Sequence, residues 1–302
     1  MKKHLLGLKT TSKEEILFIL EEAKKFKSII LGPQKKLDYL KNKTVVTLFY
    51  ENSTRTKVSF ESAAKALSAG TCAIAASSSS IQKGETLIDT GQNLDALLCD
   101  CIVIRHSMSG APHLLSKNVK ASVVNGGDGT NEHPTQALLD MLTIYEKHNS
   151  FKDLKIVIAG DIKHSRVARS NLWGLTKLGA KVTVVAPNTL LPLEVERMGC
   201  EVSNNLDKAV EGANVVMGLR MQLERQSSGL FPSIDEYHKF YGINQRRLNK
   251  ADSNVMLMHP GPINRGLEIA SEVVDGSQSV ILPQVTNGIA VRMAVLNMVL
   301  GG

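Results

Sequence analysis

The sequence predicts an α/β protein of two doubly wound domains, each a parallel sheet flanked by helices, joined by two interdomain helices. Three observations carry this. Short apolar, β-branched runs alternate with helical patterns along the chain, the arrangement that builds parallel sheets covered on both faces. The length of 302 residues exceeds what one core usually serves. Long helical patterns, Glu132–His148 near the middle and Asn287–Leu300 at the end, are each placed to join two halves.

In chain order, Ser12-Lys13-Glu14-Glu15 reads as a capping box that opens an amphipathic helix through about Phe26. Thr44–Tyr50 is a buried strand that feeds Ser53-Thr54-Arg55-Thr56, after which Phe60, Ala63, Ala64 and Leu67 fall at helical spacing. Strand-like runs recur at Thr71–Ala75, Cys101–Arg105 and Ala121–Asn125. The second half repeats the theme at Lys155–Ala159, Lys181–Ala186, Asn214–Leu219 and Asn254–Met258.

Composition narrows the functions. The formal net charge of +7 is dispersed, with basic doublets far apart and no block of like charge, which disfavours a nucleic-acid arm and favours small anions as partners. Aromatic residues at 4% supply little base-stacking surface. Lys9 interrupts the N-terminal apolar stretch too early for a signal peptide, and no run reaches membrane-span length. A soluble, cytoplasmic protein is expected, with no membrane or nucleic-acid partner. Cys72, Cys99, Cys101 and Cys200 match neither a redox pair nor a zinc knuckle and are expected as buried thiols. No histidine pairing suggests a metal, and no cofactor is expected.

The chemistry-bearing residues gather at strand ends, where parallel folds bind ligands. Ser53, Thr54, Arg55 and Thr56 sit where a helix starts, so unpaired backbone N–H groups, hydroxyls and a guanidinium all suit a phosphate. Arg105 and His106 close another apolar strand, and Ser79 and Lys83 lie in a small-residue loop. His133, with Pro134 at the first helical turn, and Gln136 can offer two donors to a carbonyl oxygen. Arg166 follows the strand Lys155–Ala159, whose Gly160 turn resembles a nucleotide site but lacks the spacing of GxGxxG. Arg220 and Gln222 follow the strand ending at Leu219, and His259-Pro260-Gly261-Pro262 the one after. Taken singly, each has a bland reading as a cap or a solvated charge. Arg55, Arg105, Arg166, Arg220 and His259 together point to one anion-binding cleft between two sheets.

These motifs resemble the aspartate/ornithine carbamoyltransferase family along essentially the whole chain. Phe49–Thr56 with Ser59-Phe60-Glu61, then Lys83-Gly84-Glu85, Arg105-His106 and His133-Pro134-Thr135-Gln136 carry the resemblance. Ser79, Lys83, Arg166, Arg220, Gln222 and the His259–Pro262 segment place it on the aspartate side, although Gly261 stands where leucine or alanine is more usual. The resemblance implies a domain over residues 1–133, completed by the helix 287–302, that binds carbamoyl phosphate, and a domain over 134–286 that binds L-aspartate. It implies that carbamoyl phosphate meets Ser53, Thr54, Arg55, Thr56, Ser79, Lys83, Arg105, His133, Gln136, Pro260 and Gly261. Aspartate would meet Lys83, Arg166, Arg220 and Gln222, and the catalytic set would be Arg55, Thr56, Lys83, Arg105 and His133. It further implies N-carbamoyl-L-aspartate and phosphate as products, a step of pyrimidine synthesis. A homotrimer with shared active sites follows too, acting alone or with regulatory chains or a dihydroorotase. Glu51 is expected to pair with Arg166 or Arg225 across the cleft in the closed state. The alternatives are carbamoyl transfer to another amino acid such as ornithine, or a nucleotide-binding oxidoreductase.

Overall fold

The computed structural model describes residues 2–75, 84–222 and 233–301. The chain divides into two compact units, Met1–Leu142 with Thr286–Gly302, and Thr143–Val285.

In the first unit, α1 (Lys13–Leu31) opens on the expected capping box. Ser12 Oγ accepts the Glu15 N–H at 3.1 Å, and the Glu15 carboxylate accepts the Ser12 N–H at 2.8 Å. The helix runs past Phe26 and stops at Gly32, whose N–H donates to the Ile29 carbonyl at 3.0 Å. Then come β1 (Thr44–Phe49), α2 (Thr54–Ala66), β2 (Gly70–Ala75), α3 (Leu87–Ala96), β3 (Cys101–His106), α4 (Ala111–Ser116), β4 (Ser122–Asp128) and α5 (Pro134–His148).

The strands are parallel, in the order β2-β1-β3-β4. Val45, Leu48, Ile102, Val103, Ile104, Val123 and Val124 are buried. Helices cover both faces of such a sheet, so its inner strands read as unbroken apolar runs. β4 reaches Asp128 rather than ending at Asn125. Asn125-Gly126-Gly127 has turn-like composition, but the Asn125 side chain satisfies the backbone locally by accepting the Gly127 N–H at 2.7 Å. A Cβ on Gly126 would sit 3.2 Å from the Ile104 carbonyl oxygen, a tight approach that favours glycine there.

The second unit carries β5 (Lys155–Ala159), α6 (Arg166–Lys177), β6 (Lys181–Val185), β7 (Glu201–Ser203), α7 (Leu206–Ala209), β8 (Val215–Gly218), α8 (Ile234–Tyr241), α9 (Gln245–Leu248), β9 (Met256–Met258) and α10 (Ser271–Val274); α11 (Ile281–Leu300) closes the chain. Its parallel sheet has the order β7-β6-β5-β8-β9. Val157, Val216, Leu257 and Ile269 pack in its core. The sequence reading missed β7, a polar edge strand too short to show a period. It also began the last helix at Asn287, whereas α11 starts at Ile281. Pro283 falls in the first turn, where a missing N–H costs the helix nothing. The boundaries between units fall inside α5 and α11, so the chain passes from one unit to the other within these helices.

One buried cation ties α11 to α2. The Arg292 guanidinium lies 5.0 Å from the centre of the Phe60 ring, and its Nη1 donates to Ser59 Oγ and to the Gly288 carbonyl, each at 3.0 Å. Burial pulls its pKa down to about 10, with Asp140 acting in the opposite direction.

The cysteines divide. Cys99, Cys101 and Cys200 are buried as expected, but Cys72 is exposed, because β2 is an edge strand. Burial pushes the Cys99 and Cys200 thiols up to about 11 and holds Cys101 well above its usual value too. A thiol reagent at neutral pH is therefore expected to label Cys72 at most in the native protein and all of the cysteines after denaturation. Rapid native labelling of Cys99, Cys101 or Cys200, read by mass spectrometry, would contradict this packing.

Candidate active site

In the first unit the predicted residues meet at the carboxyl edge of the sheet. β1 leads directly into α2, with Ser53 as the N-cap residue in an extended conformation. Its hydroxyl donates to Thr56 Oγ1 at 2.9 Å instead of capping a backbone N–H. The first-turn N–H groups of α2 thus receive no bond from their own cap side chain, which leaves them suited to an anion. Thr56 is buried, whereas Thr54 and Arg55 are exposed.

Arg105 lies on the neighbouring strand, in register with Phe49, and its carbonyl accepts the Tyr50 N–H at 2.8 Å. The Arg105 guanidinium donates to the Gly126 carbonyl at 3.1 Å and stands 3.4 Å from Glu51. Glu51 therefore has a partner inside the first unit; its pairing with Arg166 or Arg225 is an expectation for the closed state. Next to Arg105, burial holds the His106 imidazole below its usual pKa, with Glu51 and Asp128 pulling the other way. Its ring packs on Tyr50 with centroids 4.4 Å apart.

His133 is buried immediately before α5, and its carbonyl accepts the Gln136 N–H at 3.0 Å. The Gln136 side chain donates to Asp140 at 3.0 Å. Sequence reasoning missed what holds this turn. Asp128, fully buried, accepts the N–H groups of Gly110 at 2.7 Å and Glu132 at 3.1 Å. Glu132 in turn accepts those of Leu8 at 2.6 Å and Lys9 at 3.1 Å. The sequence gives no sign of these bonds; only the fold shows that both carboxylates accept backbone N–H groups.

In the second unit, Arg166 is the first residue of α6 and is 4% exposed, so its charge is withdrawn from water where the helix dipole already favours anions. Ser165 caps that helix by accepting the Ala168 N–H at 3.1 Å. Just upstream, His164 Nδ1 lies 2.9 Å from the buried Asp161 carboxylate. Arg220 and Gln222 follow β8 and are half-buried. Gly160, the glycine of the turn that resembled a nucleotide site, has φ +138° and packs against Leu219, just before Arg220. Pro260 and Gly261 follow β9. Gly261 has φ +63°, a conformation in which leucine or alanine would be strained. Ser79, Lys83 and Arg225 lie outside the described residues.

Strand order adds what the sequence could not supply. In the first sheet the order reverses between β1 and β3, and Ser53–Thr56 and Arg105 sit at that reversal. In the second it reverses between β5 and β8, where Arg166 and Arg220 stand. Crossovers leave opposite faces at such a point and open a crevice beyond the strand ends, the usual ligand position in open α/β sheets.

The class this defines is an α/β family of two units, each with a parallel sheet that places cationic residues at its switch point. Residues 3–146 match the aspartate/ornithine carbamoyltransferase carbamoyl-P binding domain, and residues 152–299 match the Asp/Orn binding domain of the same family. The chain belongs to the aspartate/ornithine carbamoyltransferase family. It is 58% identical to the aspartate carbamoyltransferase catalytic subunit of Ruminiclostridium cellulolyticum over 97% of this chain and 94% of that one. The corresponding subunit of Caldanaerobacter subterraneus subsp. tengcongensis is 57% identical over 98% of this chain and 97% of its own. Among solved structures it resembles ornithine carbamoyltransferase from Pyrococcus furiosus, with TM-score 0.88 and 32% identity over 99% and 97% of the two chains. Aspartate transcarbamoylase from Trypanosoma cruzi in complex with N-(phosphonacetyl)-L-aspartic acid gives TM-score 0.89 and 29% identity over 99% and 96%.

The crowding at Gly160 gives a test. A Cβ there would lie 2.7 Å from the Leu219 carbonyl oxygen, and the backbone conformation already disfavours a side chain. Gly160→Ala is expected to cost about 2 kcal/mol or more of stability. It should also weaken whatever Arg220 binds, since that residue follows the displaced backbone. A denaturation midpoint equal to that of the unsubstituted protein would contradict the packing.

Proposed function

We propose that this chain transfers the carbamoyl group of carbamoyl phosphate to the amine of L-aspartate, releasing N-carbamoyl-L-aspartate and phosphate. One observation carries the reading: each sheet presents its cationic residues at its own topological switch point, the first beside a helix N-terminus suited to phosphate and the second with two arginines suited to carboxylates. Ornithine would bring a cationic amine towards Arg166 and Arg220, so the charge of the second unit favours aspartate. The identity to aspartate enzymes above half of all positions supports the same choice.

In this reading carbamoyl phosphate binds through Ser53, Thr54, Arg55, Thr56 and Arg105, with Ser79 and Lys83 reaching its phosphate. Thr56, Arg105 and His133 face its carbonyl oxygen; Gln136 and the backbone of Pro260 and Gly261 meet its amide. Aspartate is held by Arg166, Arg220, Gln222 and Lys83. Its amine attacks unprotonated, and the tetrahedral oxyanion is stabilised by fixed donors, each worth about 3–4 kcal/mol. The departing phosphate takes the amine proton, so neither a carboxylate base nor a covalent enzyme intermediate is needed. Holding the two substrates in attack geometry supplies much of the remaining acceleration.

The same reading places the enzyme in the cytoplasm, in pyrimidine synthesis, as a homotrimer whose Ser79–Lys83 loop serves a neighbouring subunit. No described helix is long and apolar enough to cross a membrane.

Product formation from carbamoyl phosphate, with aspartate and ornithine compared side by side, tests the reaction. Turnover with aspartate alone is expected; turnover with ornithine would overturn the assignment of the second unit. Arg166→Ala should lower kcat/KM for aspartate by about 100-fold or more while carbamoyl phosphate still binds. Shared sites have their own test. Inactive Lys83→Ala chains mixed with inactive Arg55→Ala chains should recover activity in hybrid trimers, and silent hybrids of proven composition would count against sharing.

A further inference from the structure

We propose that Glu268 is a positioning residue, which acts through the His259 imidazole to aim the Pro260 carbonyl at the carbamoyl amide. The inference rests on the function proposed above and names a residue that reading does not use.

β9 ends at His259, and the side chains of His259 and Glu268 are 0% and 1% exposed. His259 is held at three points. Its backbone N–H donates to Gln284 Oε1 at 3.0 Å, its Nδ1 accepts the Gly261 N–H at 2.8 Å, and its Nε2 stands 3.3 Å from Glu268 Oε1. An Nδ1 that accepts a hydrogen bond carries no proton, so the ring is neutral with its proton on Nε2, facing the carboxylate. Glu268 Oε1 also accepts the Asn264 N–H at 2.6 Å. One buried carboxylate thereby stands 3.3 Å from the protonated Nε2 at the start of the loop and accepts a backbone N–H in its middle.

The consequence for the site is geometric. The Pro260–Gly261 peptide is trans, since the cis bond is the one after it, Gly261–Pro262. In a trans peptide the N–H and C=O point opposite ways. Holding the Gly261 N–H on the buried imidazole therefore turns the Pro260 carbonyl away from the core, as an acceptor for an N–H of the carbamoyl group. Core packing alone accounts poorly for Glu268. Its Oε2 is buried with no hydrogen-bond partner among the described residues, a costly state for a carboxylate. If the ring took its proton on Nδ1 instead, the Gly261 N–H would lose its acceptor and the loop would be free to turn.

The test compares the unsubstituted trimer with Glu268→Ala and Glu268→Gln. Glu268→Ala is expected to lower kcat about tenfold and to raise KM for carbamoyl phosphate, leaving KM for aspartate unchanged. Glu268→Gln keeps an acceptor oxygen in place and should restore most of that loss. Unchanged kinetics in folded Glu268→Ala, or an equal loss in Glu268→Gln, would overturn the inference while wild-type carbamoylation of aspartate left the function standing; absence of that reaction would overturn both. Neutron diffraction of the unsubstituted protein, which needs no variant to fold, should place the proton on His259 Nε2, and a proton on Nδ1 would overturn it.

Discussion

A parallel sheet can gather ligand groups from several strands only at its carboxyl edge, and it opens a crevice there only where the strand order reverses. Both units of this chain are organised by that constraint. β1 delivers a helix N-terminus and β3 delivers Arg105 to one reversal; β5 and β8 deliver Arg166 and Arg220 to the other. Each position gathers cationic side chains or helix-start N–H groups, the features that suit an anion. In the function proposed above, that geometry supplies affinity for anionic substrates and selects for charge.

The rest of each unit keeps these groups in place. Arg292 reaches from α11 to Ser59 and stacks on Phe60, so the helix bearing Ser53–Thr56 is held from behind by a buried cation. Asp128 and Glu132 use their carboxylates on backbone donors around the turn that carries His133. Fixed donors need no reorganisation as charge develops, which is where catalysis of this kind draws its advantage. His259 and Glu268 extend the same device to the second unit.

Much of the architecture was legible in the sequence because buried parallel strands show as continuous β-branched runs. The Ser12 capping box and the start of α5 at Pro134 follow from local chemistry alone. What stayed hidden depends on long-range pairing. Strand order cannot be read from a period, so the switch points emerge only in three dimensions. β7 is too short to carry a pattern, and Asn125-Gly126-Gly127 imitates a turn while continuing a strand. Among the candidate site residues and their supports, Arg55, Arg105 and Arg166 announced themselves by standing at strand ends. Asp128, Glu268 and Arg292 did not, because a buried charge looks like a surface charge until its partners are known.

The central claim is that phosphate belongs to the switch point of the first sheet and the dicarboxylate to that of the second. The most direct measurement is a crystal structure of this protein with N-(phosphonacetyl)-L-aspartic acid, which carries both charge sets in one molecule. The account predicts the phosphonate on the N-terminus of α2 with Arg55 and Arg105, and the carboxylates on Arg166 and Arg220. A phosphonate bound away from α2, or carboxylates that leave both Arg166 and Arg220 without contact, would contradict it.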